Sequence, residues 1–438
     1  MLYDFFMTED HPPGLILAVH DRIRRRFPQI DKDLFGHGRI HLNCAAGTLA
    51  VDTAAKAMAD AASWTNALPG EIYPAEIATK EFHERVRGIT ADFLNAPNPS
   101  EISFHFSTTH ALMTMAFSLR GLFNPKSNLI VTDLDHMANV SPWETLGGKL
   151  SGAEIRRAAI TDRGRLDLDH LLSLVDERTM LVAVTLASNS LGTIVPLQEA
   201  IPMIRAKSPF CLVCVDAVHN ALHGSIDVQQ LGCDFLAFSG YKVFGPMLGV
   251  LWGKKGLLGK FEPYRVETNK NETPYKYEQG TLNNAALASL EAALEYILWL
   301  AEEINPRWDA DKAQRPAKFK AAMMAIASYE AEISRQILEG FERLDKKKFS
   351  CYGITDPDEC QKRDPTFAFD VSGQTAREVK KYLWDHHSIQ TADGNHYSAV
   401  FYRHFRQDSV CRASFAHYNS LEEAQLFLAA LEELVLGS

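Results

Sequence analysis

The sequence predicts an α/β protein, with a large unit on a mostly parallel sheet followed by a smaller α+β unit. Three observations predict it. Short apolar or β-branched runs, NLIVTDL, TMLVAVTL, FCLVCVDA, DFLAFSG and GVLWG, alternate with helical patterns, as in sheets covered on both faces. From Leu282 to Glu303 that alternation gives way to one long, Ala-rich amphipathic helix. A polar stretch, NPRWDADKAQRPAKFK, then reads as a hinge or exposed connection before an α+β remainder. The expected division is an N-terminal segment over 1–45 packing on the small unit, a large unit over 46–305 and a small unit over 306–438.

Taken in order, Ser107-Thr108-Thr109-His110 precedes the apolar helix ALMTMAFSL and has the composition of an N-cap box. A hydroxyl-rich helix N-terminus also holds phosphate. Asp167 to Val175 and the segment after Pro196 have crossover-helix patterns between strands. In the C-terminal part a helix is expected near Tyr329 to Leu344, strands at TFAFDV and VCRASFAHY, and helices from Ala376 and from Leu421.

With 438 residues the chain is long enough for two or three units. Its 46% hydrophobic and 23% charged residues are ordinary globular values. The net charge of −10, without long single-sign runs, excludes nucleic acid and anionic membrane as expected partners. The longest apolar run, Phe235 to Trp252, is broken by Gly240, Lys242, Gly245, Pro246 and Gly249, so no transmembrane segment is expected. The first residues lack a secretory pattern, and a cytoplasmic protein is expected. Seven cysteines, an odd number spread along the chain, suit reduced thiols. Cys211 and Cys214 have CxxC spacing inside a strand-like run and are expected in the core, and no metal site is expected.

Ligands gather at the carboxyl ends of strands in an open parallel sheet. His136, Asn189, Asp216, Ser239 and Lys242 all follow predicted strands. Lys242 is the only charged residue between Phe235 and Trp252. Burial there favours the neutral amine, the form that attacks a carbonyl; the alternative is a lysine snorkelling from a strand end. Asp216 alone reads equally as a helix cap. Together, a neutral lysine, a buried carboxylate, a histidine and a hydroxyl-rich cradle match the needs of pyridoxal 5'-phosphate: an amine for its aldehyde, an acid for its ring nitrogen, donors for its phosphate.

The segment VDAVHNALHGSIDVQQLGCDFLAFSGYKVFGPMLGVLWGKK resembles the cofactor-binding signature of fold-type I, class V aminotransferase-type enzymes, the group of cysteine desulfurases and selenocysteine lyases. The likeness continues through LNCAAGTLA, STTHALMTMA, DLDHMANVSPW, TLASNSLGTIVPL, EQGTLNNAALASLEAALEYI and VCRASFAHYNSLEEAQLFLAALEEL. It implies a seven-stranded-type sheet in the large domain, with Lys242 as Schiff-base lysine, Asp216 at the pyridine nitrogen and His136 on the ring face. It further implies phosphate contacts from Thr108, Thr109, His110 and Ser239, with Tyr241 replacing the usual histidine. His219 would face the phenolic oxygen where desulfurases usually keep a glutamine. Asn189 would lie near the cofactor oxygen and substrate carboxylate, Arg412 would grip that carboxylate, and Ala45, His396 and Tyr397 would lie beside the substrate. Thr281 resembles the residue that reaches the phosphate in a neighbouring subunit, which implies a homodimer.

One loop departs from the pattern. Where desulfurases resemble Gly-His-His-Cys, this chain reads Gly394-Asn395-His396-Tyr397. Cys411 should face away from Arg412 on a strand, and Cys44 in NCAAG is the one substitute. The expectation is therefore a lyase acting on a small α-amino acid through an external aldimine and a Cα carbanion, cleaving C–S or C–C bonds without a protein persulfide. The alternatives are a decarboxylative aldolase of natural-product biosynthesis, as in one relative of a desulfurase-like subgroup without the cysteine, an aminotransferase or epimerase, or a non-catalytic protein of this fold.

Overall fold

The computed structural model describes residues 14–305 and 315–437. The opening MLYDFFMTEDHPP and residues 306–314 of the polar stretch lie outside them.

Each apolar run named above forms a strand. The seven strands of the large sheet are, in chain order, β1 (Ile102–His105), β2 (Asn128–Thr132), β3 (Glu154–Ala158), β4 (Thr179–Thr185), β5 (Leu212–Asp216), β6 (Phe235–Ser239) and β7 (Gly249–Gly253). They make one sheet in the order β1-β7-β6-β5-β4-β2-β3. The pairs from β3 across to β6 are parallel, while β7 runs antiparallel to both neighbours. The periodicity missed β1, whose four residues ISFH make too short a run, and β3, because EIRRA sits at the sheet edge and is only partly buried, so it lacks the apolar run of a central strand.

Alternate residues of the central strands enter different cores. Val182, Val184, Val213, Val215, Leu236 and Phe238 belong to one cluster; Leu181, Ala183, Leu212, Cys214, Phe235 and Ala237 belong to the other. The two-residue period of a strand accounts for this. It also separates Cys211 from Cys214, which lie in opposite cores.

Helices cover both faces: α1 (Asp52–Trp64), α2 (Pro74–Phe93), α3 (Thr108–Leu119), α4 (Leu168–Leu174), α5 (Leu197–Lys207), α6 (Asn284–Ile304), α7 (Arg315–Arg343), α8 (Ala376–His387) and α9 (Leu421–Gly437). Asp167 and Asn283 cap α4 and α6 by accepting backbone N–H groups. The reading of NPRWDADKAQRPAKFK as a connection is corrected at its C-terminal end. There α7 starts at Arg315 rather than near Tyr329, because Phe319, Ala322 and Met323 are buried at helical spacing beneath the charged residues. Among the described residues no helix is long and apolar enough to cross a membrane.

A second, antiparallel sheet joins β8 (Phe349–Tyr352), β9 (Thr366–Val371), β10 (Ala392–Gly394) and β11 (Val410–Ser414), in the order β10-β11-β9-β8. The N-terminal segment reaches this part of the fold. Ile40 and His41 pair in parallel with Ile389 and Gln390, and Asn43 bridges to Ser414. That pairing brings the 40s loop and Arg412 to the carboxyl ends of β4, β5 and β6.

Candidate active site

The strand ends open into a cavity of about 930 Å³ whose opposite wall comes from β10, the loop after it and β11. One side is the N-terminus of α3. Ser107 caps that helix, accepting the His110 N–H at 3.1 Å. The Thr108 hydroxyl donates to the Phe238 carbonyl at 2.7 Å and lies 2.7 Å from Ser239 Oγ, which fixes the helix start against the end of β6. Ser107, Thr108, Thr109 and Ser239 line the cavity, presenting hydroxyls and free backbone N–H groups to an anion. His110 is not among the lining residues, and its Nδ1 is buried without a partner.

Gly249 makes this cradle possible. A Cβ there would stand 2.4 Å from the Ser107 carbonyl oxygen and 2.5 Å from the Thr108 nitrogen. Gly249→Ala is expected to push the start of α3 outward at a cost of about 1–3 kcal/mol. Thermal melting and cofactor titration should then both show a loss.

The floor holds the titratable groups. Lys242, on the turn Gly240–Lys242 after β6, is 3% exposed. Burial, with the Arg412 charge adding to it, pushes its amine down to about 7. Its Nζ donates to the Ala45 carbonyl. Asp216 ends β5, and its Oδ1 accepts the Val218 N–H at 2.9 Å. Burial pushes its carboxyl up to about 6, against the pull of that bond and of Lys242. A cationic ring nitrogen beside it would restore the ionised form. His136 accepts the Ala138 N–H on Nδ1 at 3.0 Å, and burial pushes the ring down to about 4, so it is neutral at pH 7. His219 is buried with both ring nitrogens unpartnered.

The far wall carries Arg412, 3% exposed. Its Nη1 donates to the Asn189 carbonyl at 2.7 Å. Asn189 Nδ2 in turn donates to the His396 carbonyl at 2.8 Å, tying the β10–β11 loop to the end of β4. His396 and Tyr397 both have left-handed backbones, φ +54° and +55°, a conformation that non-glycine residues adopt at a cost. Tyr397 is 75% exposed, and its ring centre lies 5.6 Å from that of His136. Tyr241 and Ala45 also line the cavity. Thr281 is not there. It is exposed in a different cavity beside Leu68, Lys80 and Lys270.

Of the residues the sequence singled out for the site, His110, Thr281 and the substitute thiol Cys44 fall outside the cavity lining. The sequence reading passed over Met113, Ser141, Thr185 and Val218, which also line it. Thr185 and Val218 were within reach of the strand-end rule, one ending β4 and the other following Asp216. Met113 and Ser141 carry no local signal.

These groups fit pyridoxal phosphate. A neutral amine, an acid and an anion cradle converge, and Asn189 Oδ1, Arg412 Nε and both His219 nitrogens remain without partners, where buried polar atoms ordinarily have one. When bound, the cofactor supplies an electron-accepting ring conjugated to the substrate's Cα. Lys242 can take and return a proton at Nζ, Asp216 can hold positive charge on the ring nitrogen, and Arg412 can hold a carboxylate bidentately. Uptake of pyridoxal phosphate by the apoprotein should accelerate as pH rises through about 7, because Lys242 loses its proton there. Stopped-flow absorbance between about pH 6 and 8.5 checks this; a rise only near the ordinary lysine value would contradict the buried-amine reading.

The comparisons with known proteins agree with this frame and correct one expectation. A cysteine desulfurase of Pectobacterium carotovorum subsp. carotovorum (strain PC1) is 31% identical over 435 residues, 95% of this chain and 99% of that protein. One of Pectobacterium atrosepticum is 32% identical over 371 residues, 81% of this chain and 83% of that protein. The apo structure of a cysteine desulfurase from Thermococcus onnurineus NA1 superposes with a TM-score of 0.82 at 26% identity, covering 95% of this chain and 98% of that one. These relatives overturn the expectation of a lyase set apart from persulfide-forming desulfurases. That expectation gave one loop position more weight than the floor, cradle and carboxylate-binding wall, which extend over the whole chain. The aminotransferase class-V family model matches residues 40–427, and the chain belongs to this family of pyridoxal-phosphate-dependent enzymes.

Proposed function

We propose that the protein is a cysteine desulfurase. The observation that carries this is the convergence of a buried, readily deprotonated Lys242 and a buried Arg412 across one cavity, in a chain whose relatives bear that name over nearly their full length. Arg412 and Asn189 orient the substrate carboxylate, Lys242 moves the proton at Cα, and the hydroxyl cradle anchors the phosphate. Cleavage of the Cβ–S bond sends sulfur to an acceptor thiolate, forming an S–S bond, and leaves alanine.

The chain's own candidate acceptor is Cys44. It precedes Ala45, and its charge would act on both Lys242 and Arg412. Its thiol is fully buried, lies 3.1 Å from the Tyr418 hydroxyl and is pushed up to about 12 by burial. It must be uncovered and deprotonated to react. The test is turnover of cysteine with and without dithiothreitol, reading alanine, sulfide and intact-protein mass. Alanine and sulfide in equal amounts support the desulfurase reading. A sulfur-atom mass gain mapped to Cys44 identifies the acceptor, whereas its absence with alanine still formed assigns sulfur to the added thiol. Failure to form alanine from cysteine refutes the reading.

Thr281 is exposed in a cavity that the exposed Leu68 also lines, which supports a homodimer in which it reaches the other subunit's phosphate site. Seven free cysteines support a reducing, cytoplasmic location. The presence of two separate sheets supports a division at 46–305 and 306–438. Light scattering of the purified holoenzyme checks the dimer.

A further inference from the structure

Behind the cavity floor lies a second group of side chains with more polar atoms than partners. His219 and His223 flank the short turn Asn220–Leu222 after β5, one helical turn apart, so their rings fall on the same side. Asp364, just ahead of β9, reaches them from the other sheet. One ligand atom from each of the three lies within 4.8 Å of the other two. All three residues are buried, at 2%, 1% and 3% exposure. His219 Nε2 and Asp364 Oδ2 are 3.9 Å apart, too far for a hydrogen bond. Neither nitrogen of His219, nor Nε2 of His223, has a partner.

The surrounding groups are arranged as an outer shell. Glu330 Oε2 lies 2.7 Å from His223 Nδ1; with the proton on Nδ1 the carboxylate accepts it and the Nε2 lone pair is free for a metal. Asn220 Nδ2 donates to Asp364 Oδ1 at 3.2 Å. A carboxylate behind a ligating histidine and an amide behind a ligating carboxylate are usual second partners of metal ligands. Glu330 and Asp364 are both buried carboxyls, at 2% and 3% exposure. The adjacent cation, Arg363, is committed to the carbonyls of Ile354, Leu191 and Thr366.

We propose that His219, His223 and Asp364 bind a divalent first-row metal ion, Zn²⁺ by preference, directly behind the cofactor position. Two imidazoles and a carboxylate favour zinc over Mg²⁺ or Ca²⁺, which take oxygen ligands. Ligands at about 2.1 Å from tetrahedral zinc stand about 3.4 Å apart, so side-chain rotation closes the observed spacing. Water from the adjoining cavity of about 400 Å³, which His223, Glu330 and Asp364 line, supplies the fourth position. Metal on one His219 nitrogen leaves the other as a fixed N–H donor toward the catalytic cavity.

The test uses the pyridoxal-phosphate-loaded enzyme, stripped with dipicolinate and titrated with Zn²⁺ by calorimetry, with metal content read by mass spectrometry. About one equivalent per chain is expected, and Asp364→Asn and His223→Gln should each weaken binding at least about tenfold. Removing the ion should also shift the cofactor's absorbance band, a change that a surface site would not produce. X-ray absorption on the wild-type protein should show nitrogen and oxygen ligands, which keeps the test open if a variant fails to fold. No stoichiometric binding by the wild type, sulfur in the coordination shell, or undiminished binding by Asp364→Asn overturns the proposal.

Discussion

Lys242→Ala is expected to fold and to lose turnover by at least about 10³-fold. The residue is 3% exposed, and its Nζ meets the Ala45 carbonyl at the cavity floor. Truncation removes a buried amine from the wall of an open cavity rather than a packed core side chain, so the melting temperature should change little. The catalytic loss has two expected sources, since on the proposed reading the same nitrogen would anchor the cofactor and shuttle the proton at Cα. Borohydride reduction separates them from simple cofactor loss. In the wild type it should fix a pyridoxyl group on residue 242, and in the variant on none. A variant that retains more than a few per cent of turnover would place the nucleophile elsewhere.

Arg412→Ala is expected to lower kcat/KM for an amino acid by about 10²-fold or more. A buried guanidinium with Nε unpartnered and only the Asn189 carbonyl on Nη1 is poised for an anionic ligand. Burial already pushes its pKa down to about 10, and it is still cationic at neutral pH. Arg412→Lys keeps the charge but loses the planar fork, so most of the defect should persist. The loss should fall mainly on KM if the carboxylate is held equally before and during reaction, and on kcat if the grip tightens at the barrier. Equal defects toward an amino acid and its amide would show that Arg412 recognises something other than a carboxylate.

The fold was legible in most strands buried on both faces, though not in the four-residue β1, ISFH, which is buried throughout. NLIVT, TMLVAVT, LVCVD and FLAFS declare themselves because each residue meets a core. EIRRA does not, since one side of an edge strand meets water. The start of α7 was hidden for the opposite reason, because charged residues on its exposed face disguised a buried stripe. Lys242, Asp216, Ser239 and Asn189 were found by their positions after strands. The desulfurase assignment was not, because the departure at Tyr397 is a local fact whereas the likeness is spread along the chain.

By itself the sequence determined the sheet, the strand-end chemistry and the cofactor, because hydrophobic periodicity and a charge within an apolar run are local properties that burial acts on directly. Only the tertiary structure decided what faces what. Arg412 meets Asn189, Ala45 meets Lys242, and Asp364 meets the turn holding His219 and His223 through chain segments far apart in sequence. Such pairings follow from how the two sheets pack, which no single stretch of chain encodes.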